Sequence, residues 1–249
     1  MRPPRLRARG ILPPMLIRSQ PDGGHVAIGQ ASHAWISGQI ARAWGNEQFG
    51  EVEPWEEVCL GAEQHDVGWA LWDLDPKIDA ETGRPHTFIS LPLPEKLELW
   101  SSAARNMISQ SRYAALLVSM HGTALYERWP PEDPDDMRLV QHFLDEQHAL
   151  QEKLAVGLDP GEVRRNQKLI FAWDYISLAL CLDWAPTEVK DVPTAGEPVT
   201  LELAEQGELD PWPFRDERVE LRAEGRRLEG GRFEDSPPIT LDFVLRPRR

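Results

Sequence analysis

Leu169-Ile-Phe-Ala-Trp-Asp-Tyr-Ile-Ser-Leu-Ala-Leu180 is the stretch on which the architecture turns. Apolar residues fall on nearly every side of a helix drawn through it, which predicts a central, buried helix over 161–183. Asp174 interrupts that pattern. A carboxylate in the middle of a buried apolar helix is costly unless a partner compensates its charge. Arg164, Arg165 and Lys168 precede it by six or more residues, and none shares its turn. A metal ion supplies the compensation directly; a hydrogen bond from a backbone amide or a tryptophan N–H is the alternative.

Upstream of this helix the apolar spacing predicts five more. The first runs from about Ser32 to Trp44, with Trp35, Ile36, Ile40 and Trp44 on one side and Gly45 placed to stop it. The second opens at Pro54 and carries Trp55, Val58, Cys59 and Ala62. Others are expected at about 94–110, 112–121 and 134–156, the last with Met137, Val140, Leu144, Leu150 and Leu154 along one side. Between Gly68 and about Leu93 lies a long loop bearing Trp69, Trp72, Arg84, His86 and Phe88. A loop of that length inside a compact domain is functional or disordered, and its aromatic content points to function.

Both ends of the chain read as strands. Met15-Leu-Ile-Arg18 and His25-Val-Ala-Ile28 flank the turn Pro21-Asp-Gly-Gly24, a hairpin signal. After Pro186 the period becomes alternating, around Val199, Leu201 and Leu203, around Val219, Leu221 and Ala223, and from Ile239 to Leu245. The expected fold class is therefore mainly α (α+β), a helical bundle with a small antiparallel sheet from the N-terminal hairpin and the C-terminal strands. The expected division is a disordered basic extension at 1–14, a helical domain at 15–185, and a β-rich appendage at 186–249 packed on the same domain.

The chain has 249 residues and a formal charge of -14, although Arg2, Arg5, Arg7 and Arg9 crowd its first ten positions. A body this acidic disfavours nucleic-acid polymers, which are bound through Lys and Arg. A small-molecule substrate fits better. Cys59 and Cys181 are far apart, each in an apolar helical stretch, and read as buried free thiols in a reducing compartment. The basic start lacks the apolar core and cleavage site of a signal peptide, and Met15 is an alternative start. No apolar run reaches spanning length. The expectation is a cytoplasmic protein with no membrane partner.

Asp174 has company. His33 lies in Gln30-Ala-Ser-His-Ala-Trp35, His65 and Asp66 in Ala62-Glu-Gln-His-Asp-Val-Gly-Trp69, and His121 in Ser119-Met-His-Gly-Thr123. Each group stands on a separate predicted helix. Imidazole nitrogens and carboxylate oxygens are the ligand types of catalytic divalent metals. Singly each residue has an ordinary reading: a helix-end His and a turn Asp for the pair, a half-buried His33, and a dipole-favoured His121. His142 and His148 are six apart and read as members of a solvated face. Asp73 and Asp75 are loop aspartates that could accept protons or be solvated. No nucleophile elbow, phosphate loop, H-E-x-x-H or paired-cysteine zinc spacing occurs.

The order of His33, His65-Asp66 and Asp174 over residues 30–183 resembles the HD superfamily of metal-dependent phosphohydrolases. More narrowly, the chain from Met15 resembles an uncharacterised bacterial family of domains of unknown function. His65-Asp-Val-Gly-Trp69, Thr82-Gly-Arg-Pro85, Ser119-Met-His-Gly-Thr123 and Asp210-Pro-Trp-Pro-Phe214 carry this closer resemblance. The superfamily resemblance implies an HD-like bundle in which His33, His65, Asp66 and Asp174 bind a divalent metal (Mn, Fe, Co, Mg or Zn). His121 is additional, as a ligand to a second metal, a general acid or a phosphate contact. The implied reaction is attack by a metal-activated water on a small phosphate ester or phosphodiester, such as a nucleotide. Arg84 would grip the phosphate, and Trp69, Trp72 and His86 would line the substrate pocket. Val67, Gly68 and Trp69 stand where some members carry a charged residue. A non-haem iron oxygenase, on a related scaffold with more His and Asp ligands, is one alternative. A non-catalytic binding or regulatory module is another.

Overall fold

The computed structural model describes residues 15–77, 86, 91–229, 232–233 and 237–248. Among these, strands β1 (Leu16–Ser19) and β2 (His25–Ile28) form the hairpin, and Gly23 supplies the positive φ its turn requires. Helices α1 (Gln30–Ala43) and α2 (Trp55–Gln64) follow. A 3-10 turn (Val67–Trp69) then leads directly into the short α3 (Ala70–Leu74). Helices α4 (Leu93–Met107), α5 (Arg112–Arg128), α6 (Pro134–Leu154) and α7 (Pro160–Leu182) complete the helical layer. Asp133 and Asp159 cap α6 and α7, each with proline just inside the helix, so these starts are written locally in the sequence. The remaining strands are β3 (Thr187–Val192), β4 (Val199–Leu203), β5 (Glu208–Asp210), β6 (Val219–Glu229), β7 (Arg232–Phe233) and β8 (Ile239–Pro247).

The strands form one mixed sheet ordered β1-β2-β6-β8-β5-β4-β3, with β7 paired to β6 off that path. Its pairs are antiparallel except β5 with β8, which is parallel. Along β6 burial alternates residue by residue: Val219, Leu221 and Ala223 point inward, while Glu220, Arg222 and Glu224 point outward. One face therefore meets helices and the other meets water. Helix α1 lies on β6, and α7 lies against β1 and β3. Between the layers, Ile36, Ile40, Trp173 and Ile176 join Val26, Ile28, Leu201, Leu221 and Leu245 in the main core. Trp44 packs edge-on against Phe49, Trp173 and Phe214, so the Asp210–Phe214 stretch fastens the end of α1. A second apolar cluster of Trp69, Leu91, Leu97, Trp100, Val140 and Phe143 sits among α4, α6 and the 3-10 turn.

The expected helical bundle with a small antiparallel sheet, HD-like or otherwise, is therefore incorrect. The chain is an α/β fold in which a curled, eight-stranded mixed sheet is a full layer. Three elements account for the difference. β3 buries only Val189 and Val192, around a register shift and a positive φ at Asp191, so its sequence shows no alternation. β5 is three residues long with one buried. β6 runs beyond Ala223 through a charged segment that pairs with β2. Two helical boundaries also differ. α5 continues to Arg128 instead of ending at His121, because Gly122 serves packing rather than termination: a Cβ there would lie 3.3 Å from Trp100. The expected loop after Gly68 begins with the 3-10 turn and α3. Among the described residues no helix is long and apolar enough to cross a membrane.

Candidate metal centre

Four elements bring five donor side chains to one buried point. His33 stands in the first turn of α1, His121 in the middle of α5 and Asp174 in the middle of α7, each facing the interior. His65 is the C-cap of α2, and Asp66 follows with φ -108 and ψ 18, outside the helical region. That bend turns the adjacent side chains toward the same place. Gly68 makes the bend possible by letting the 3-10 turn lie directly on α4, because a Cβ at this position would fall 2.9 Å from the Leu99 carbonyl carbon.

His33 Nε2 lies 3.1 Å from Asp174 Oδ1 and 3.4 Å from Asp66 Oδ2. His65 Nε2 lies 3.4 Å from Asp174 Oδ1 and 3.7 Å from Asp66 Oδ2. His121 Nε2 lies 3.7 Å from Asp174 Oδ2. Two overlapping sets, His33-His65-Asp66 and His65-His121-Asp174, each have donor atoms within 4.8 Å of one another. His65 donates from Nδ1 to the Ala62 carbonyl at 2.8 Å. When neutral, the ring therefore presents its Nε2 lone pair to the cluster, the tautomer a metal requires. Asp66 Oδ1, His65 Nε2 and the Nδ1 atoms of His33 and His121 are buried, with no hydrogen-bond partner among the described residues.

The electrostatics follow from two carboxylates enclosed with three imidazoles. Burial pushes the Asp66 carboxyl up. Burial also opposes ionisation of Asp174, but the hydrogen bond from His33 and the close His65 ring outweigh it and hold that carboxyl far below the usual range. For His65, burial favours the neutral ring, yet Asp66 and Asp174 pull it up to about 9. Burial, reinforced by the charge on His65, pushes His121 down to about 3. The cluster can thus offset its acidity with a proton on His65, or with a divalent cation that uses the same lone pairs. One turn beyond the ligands, Ser37 donates to Ser177 Oγ at 3.1 Å, and Ser177 donates to the Asp174 carbonyl at 2.8 Å, bolting α1 to α7.

The other expected site residues are placed less uniformly. His121 packs between Trp100 and Phe171, with ring centroids 5.6 and 4.7 Å away. Trp69 is buried edge-on to Trp100 and Trp72, so an aromatic wall extends from His121. His86 is half-buried, and its backbone N–H donates to the Lys77 carbonyl. Arg84, with the Thr82–Pro85 stretch, lies outside the described residues, as do Phe88 and the 1–14 extension. His142 and His148 pair with Glu146 and Glu127 on the outer face of α6. Cys59 and Cys181 are buried free thiols.

Asp73 is the residue that sequence reasoning undervalued. It stands half-buried on α3, accepts the Ala31 N–H at 3.2 Å, and is pushed up to about 7 by burial, with the Asp66 charge adding to the effect. The sequence holds one oblique signal: Gly29, which opens α1, has no side chain with which to cap it.

Fold and site together define an α/β protein with a buried centre of three histidines and two aspartates suited to a divalent cation. Residues 15–230 match the family model described as "Protein of unknown function (DUF3891)", and the chain belongs to that family. No curated protein and no solved structure matches it.

Proposed function

We propose that this protein is a metal-dependent hydrolase of a small phosphate ester or phosphodiester, possible substrates including nucleotides. The observation that carries the reading is the convergence of five buried donors with the His65 tautomer already set for coordination. His33, His65, Asp66, His121 and Asp174 would hold the cation, one of Mn, Fe, Co, Mg or Zn. When bound, it would acidify a water and offset charge on phosphoryl oxygens. The order of His33, His65-Asp66 and Asp174 supports a relationship to HD phosphohydrolases at the level of the ligand motif. Burial keeps the His121 ring neutral, which favours a lone-pair role over that of a proton donor.

Elemental analysis of untagged protein followed by a phosphoester panel tests the reading. Mn- or Co-stimulated release of phosphate that disappears in Asp174→Ala and Asp66→Ala supports it. The third imidazole at Asp174 favours one competing reading, a non-haem iron oxygenase, which predicts bound iron and oxygen uptake instead. If His65→Ala and Asp66→Ala alter only stability, the protein is a binding or regulatory module.

A further inference from the structure

Helix α1 begins without a cap of its own. Gly29 has the extended backbone of a capping residue (φ -69, ψ 157), but no side chain to accept from the first turn. The place such a side chain would fill is occupied from elsewhere: a Cβ on Gly29 would lie 2.6 Å from Asp73 Oδ2 and 3.0 Å from Asp73 Cγ. The same Oδ2 accepts the Ala31 N–H. Asp73 stands on α3, which continues directly from the 3-10 turn after His65-Asp66. His33 is two residues beyond Ala31, in the turn being capped.

We propose that Asp73 is a positioning residue that caps α1 in trans and thereby holds His33 against Asp66 and Asp174. The first N–H groups of a helix have no partner within it, so an uncapped start frays from its first turn. Among the five donors, only His33 occupies such a turn. His121 and Asp174 are in mid-helix, and His65 is anchored to Ala62. Ser32 provides a second tie, exchanging hydrogen bonds with the backbone of Glu224 on β6, but it leaves the Ala31 N–H to Asp73. One carboxyl thus links the segment carrying His65-Asp66 to the helix carrying His33. The consequence for metal affinity rests on the reading of the cluster as a cation site; the capping itself does not.

The test combines amide hydrogen exchange with Mn2+ titration in Asp73→Ala, Asp73→Asn and the double variant Gly29→Ser/Asp73→Ala. Asp73→Ala is expected to accelerate exchange at Ala31 and to weaken Mn2+ binding by about 10- to 100-fold, as loss of an outer support of a metal ligand does. Asp73→Asn retains an acceptor oxygen and is expected to lose less. Gly29→Ser supplies a cap in cis, in the space Asp73 vacates, and should restore both properties. Unchanged Ala31 exchange in Asp73→Asn and in a folded Asp73→Ala overturns the proposal, as does a double variant that restores nothing. If the wild type takes up no Mn2+, Co2+ or Zn2+, the cation reading fails separately, and the Ala31 exchange rates alone decide the capping role.

Discussion

Gly68→Ala should be among the most damaging single-methyl additions in the chain, and its cost can be worked from geometry. The new Cβ would lie 2.9 Å from the Leu99 carbonyl carbon, closer still to its oxygen, and 3.0 Å from Ser102 Oγ. Carbon–oxygen contacts settle at about 3.3 Å or more, and the obstructing atoms are mainly backbone of α4, which no rotamer change can clear. Overpacking of this kind costs about 3 kcal/mol, the upper end of the usual range. For a chain of this size that lowers Tm by about 6–12 °C. Gly61→Ala is the internal control. Its Cβ would meet Ile170 and Leu117 at 3.4–3.5 Å, an ordinary contact, and alanine is the better helix former by about 1 kcal/mol. Thermal unfolding of both variants is the assay. Because Gly68 is two residues from Asp66, its variant should also bind Mn2+ more weakly. A Gly68→Ala protein melting within about 2 °C of wild type would refute the claim that this turn is pressed onto α4.

Other outcomes are equally open to measurement. Divalent cation at one hundred times its Kd should stabilise the wild type by about 2.7 kcal/mol, or about 5–11 °C in Tm, and should leave Asp174→Ala unmoved; an equal shift in that variant would place the cation elsewhere. His65 is raised from 6.5 to about 9, so its proton stabilises the chelator-treated fold fully below pH 6.5, and that stabilisation is lost as pH rises through 9. Urea midpoints should report a loss of about 3 kcal/mol across this window that is missing in His65→Gln. Asn166 donates to the Glu53 carbonyl at 2.6 Å and to Tyr113 Oη at 2.8 Å inside the core. Asn166→Ala should cost about 1–3 kcal/mol, and an unchanged urea midpoint would contradict this.

Asp174 and His65-Asp66 were legible because each interrupts an apolar pattern, whereas His33 and His121 drew notice only in their company. A charge at Asp174 among Leu169–Leu180 is conspicuous in any apolar helix, and His65-Asp66 falls where the stripe of Trp55, Val58 and Ala62 runs out. The structure gathers all five donors. Asp73 was not legible, because a cap supplied from another helix leaves no spacing rule in the sequence. The sheet was only half legible. β4 and the first half of β6 alternate visibly, whereas β3 and β5 contribute too few buried residues to establish a period. The parallel pairing of β5 with β8 depends on where distant segments meet, which no local pattern encodes. Gly122 shows the converse error, a residue with the composition of a helix stop used instead to admit Trp100.

The pairing of β2 with β6 has a consequence for how the molecule is made. His25 finds its partner in Leu228, about two hundred residues later. At cellular synthesis rates of 5–20 residues per second, the hairpin waits about 10–40 s for the strand that completes it. Throughout that interval Val26 and Ile28 have no neighbour on that side, so the nascent chain carries an open, sticky seam until the segment around Leu228 has been made.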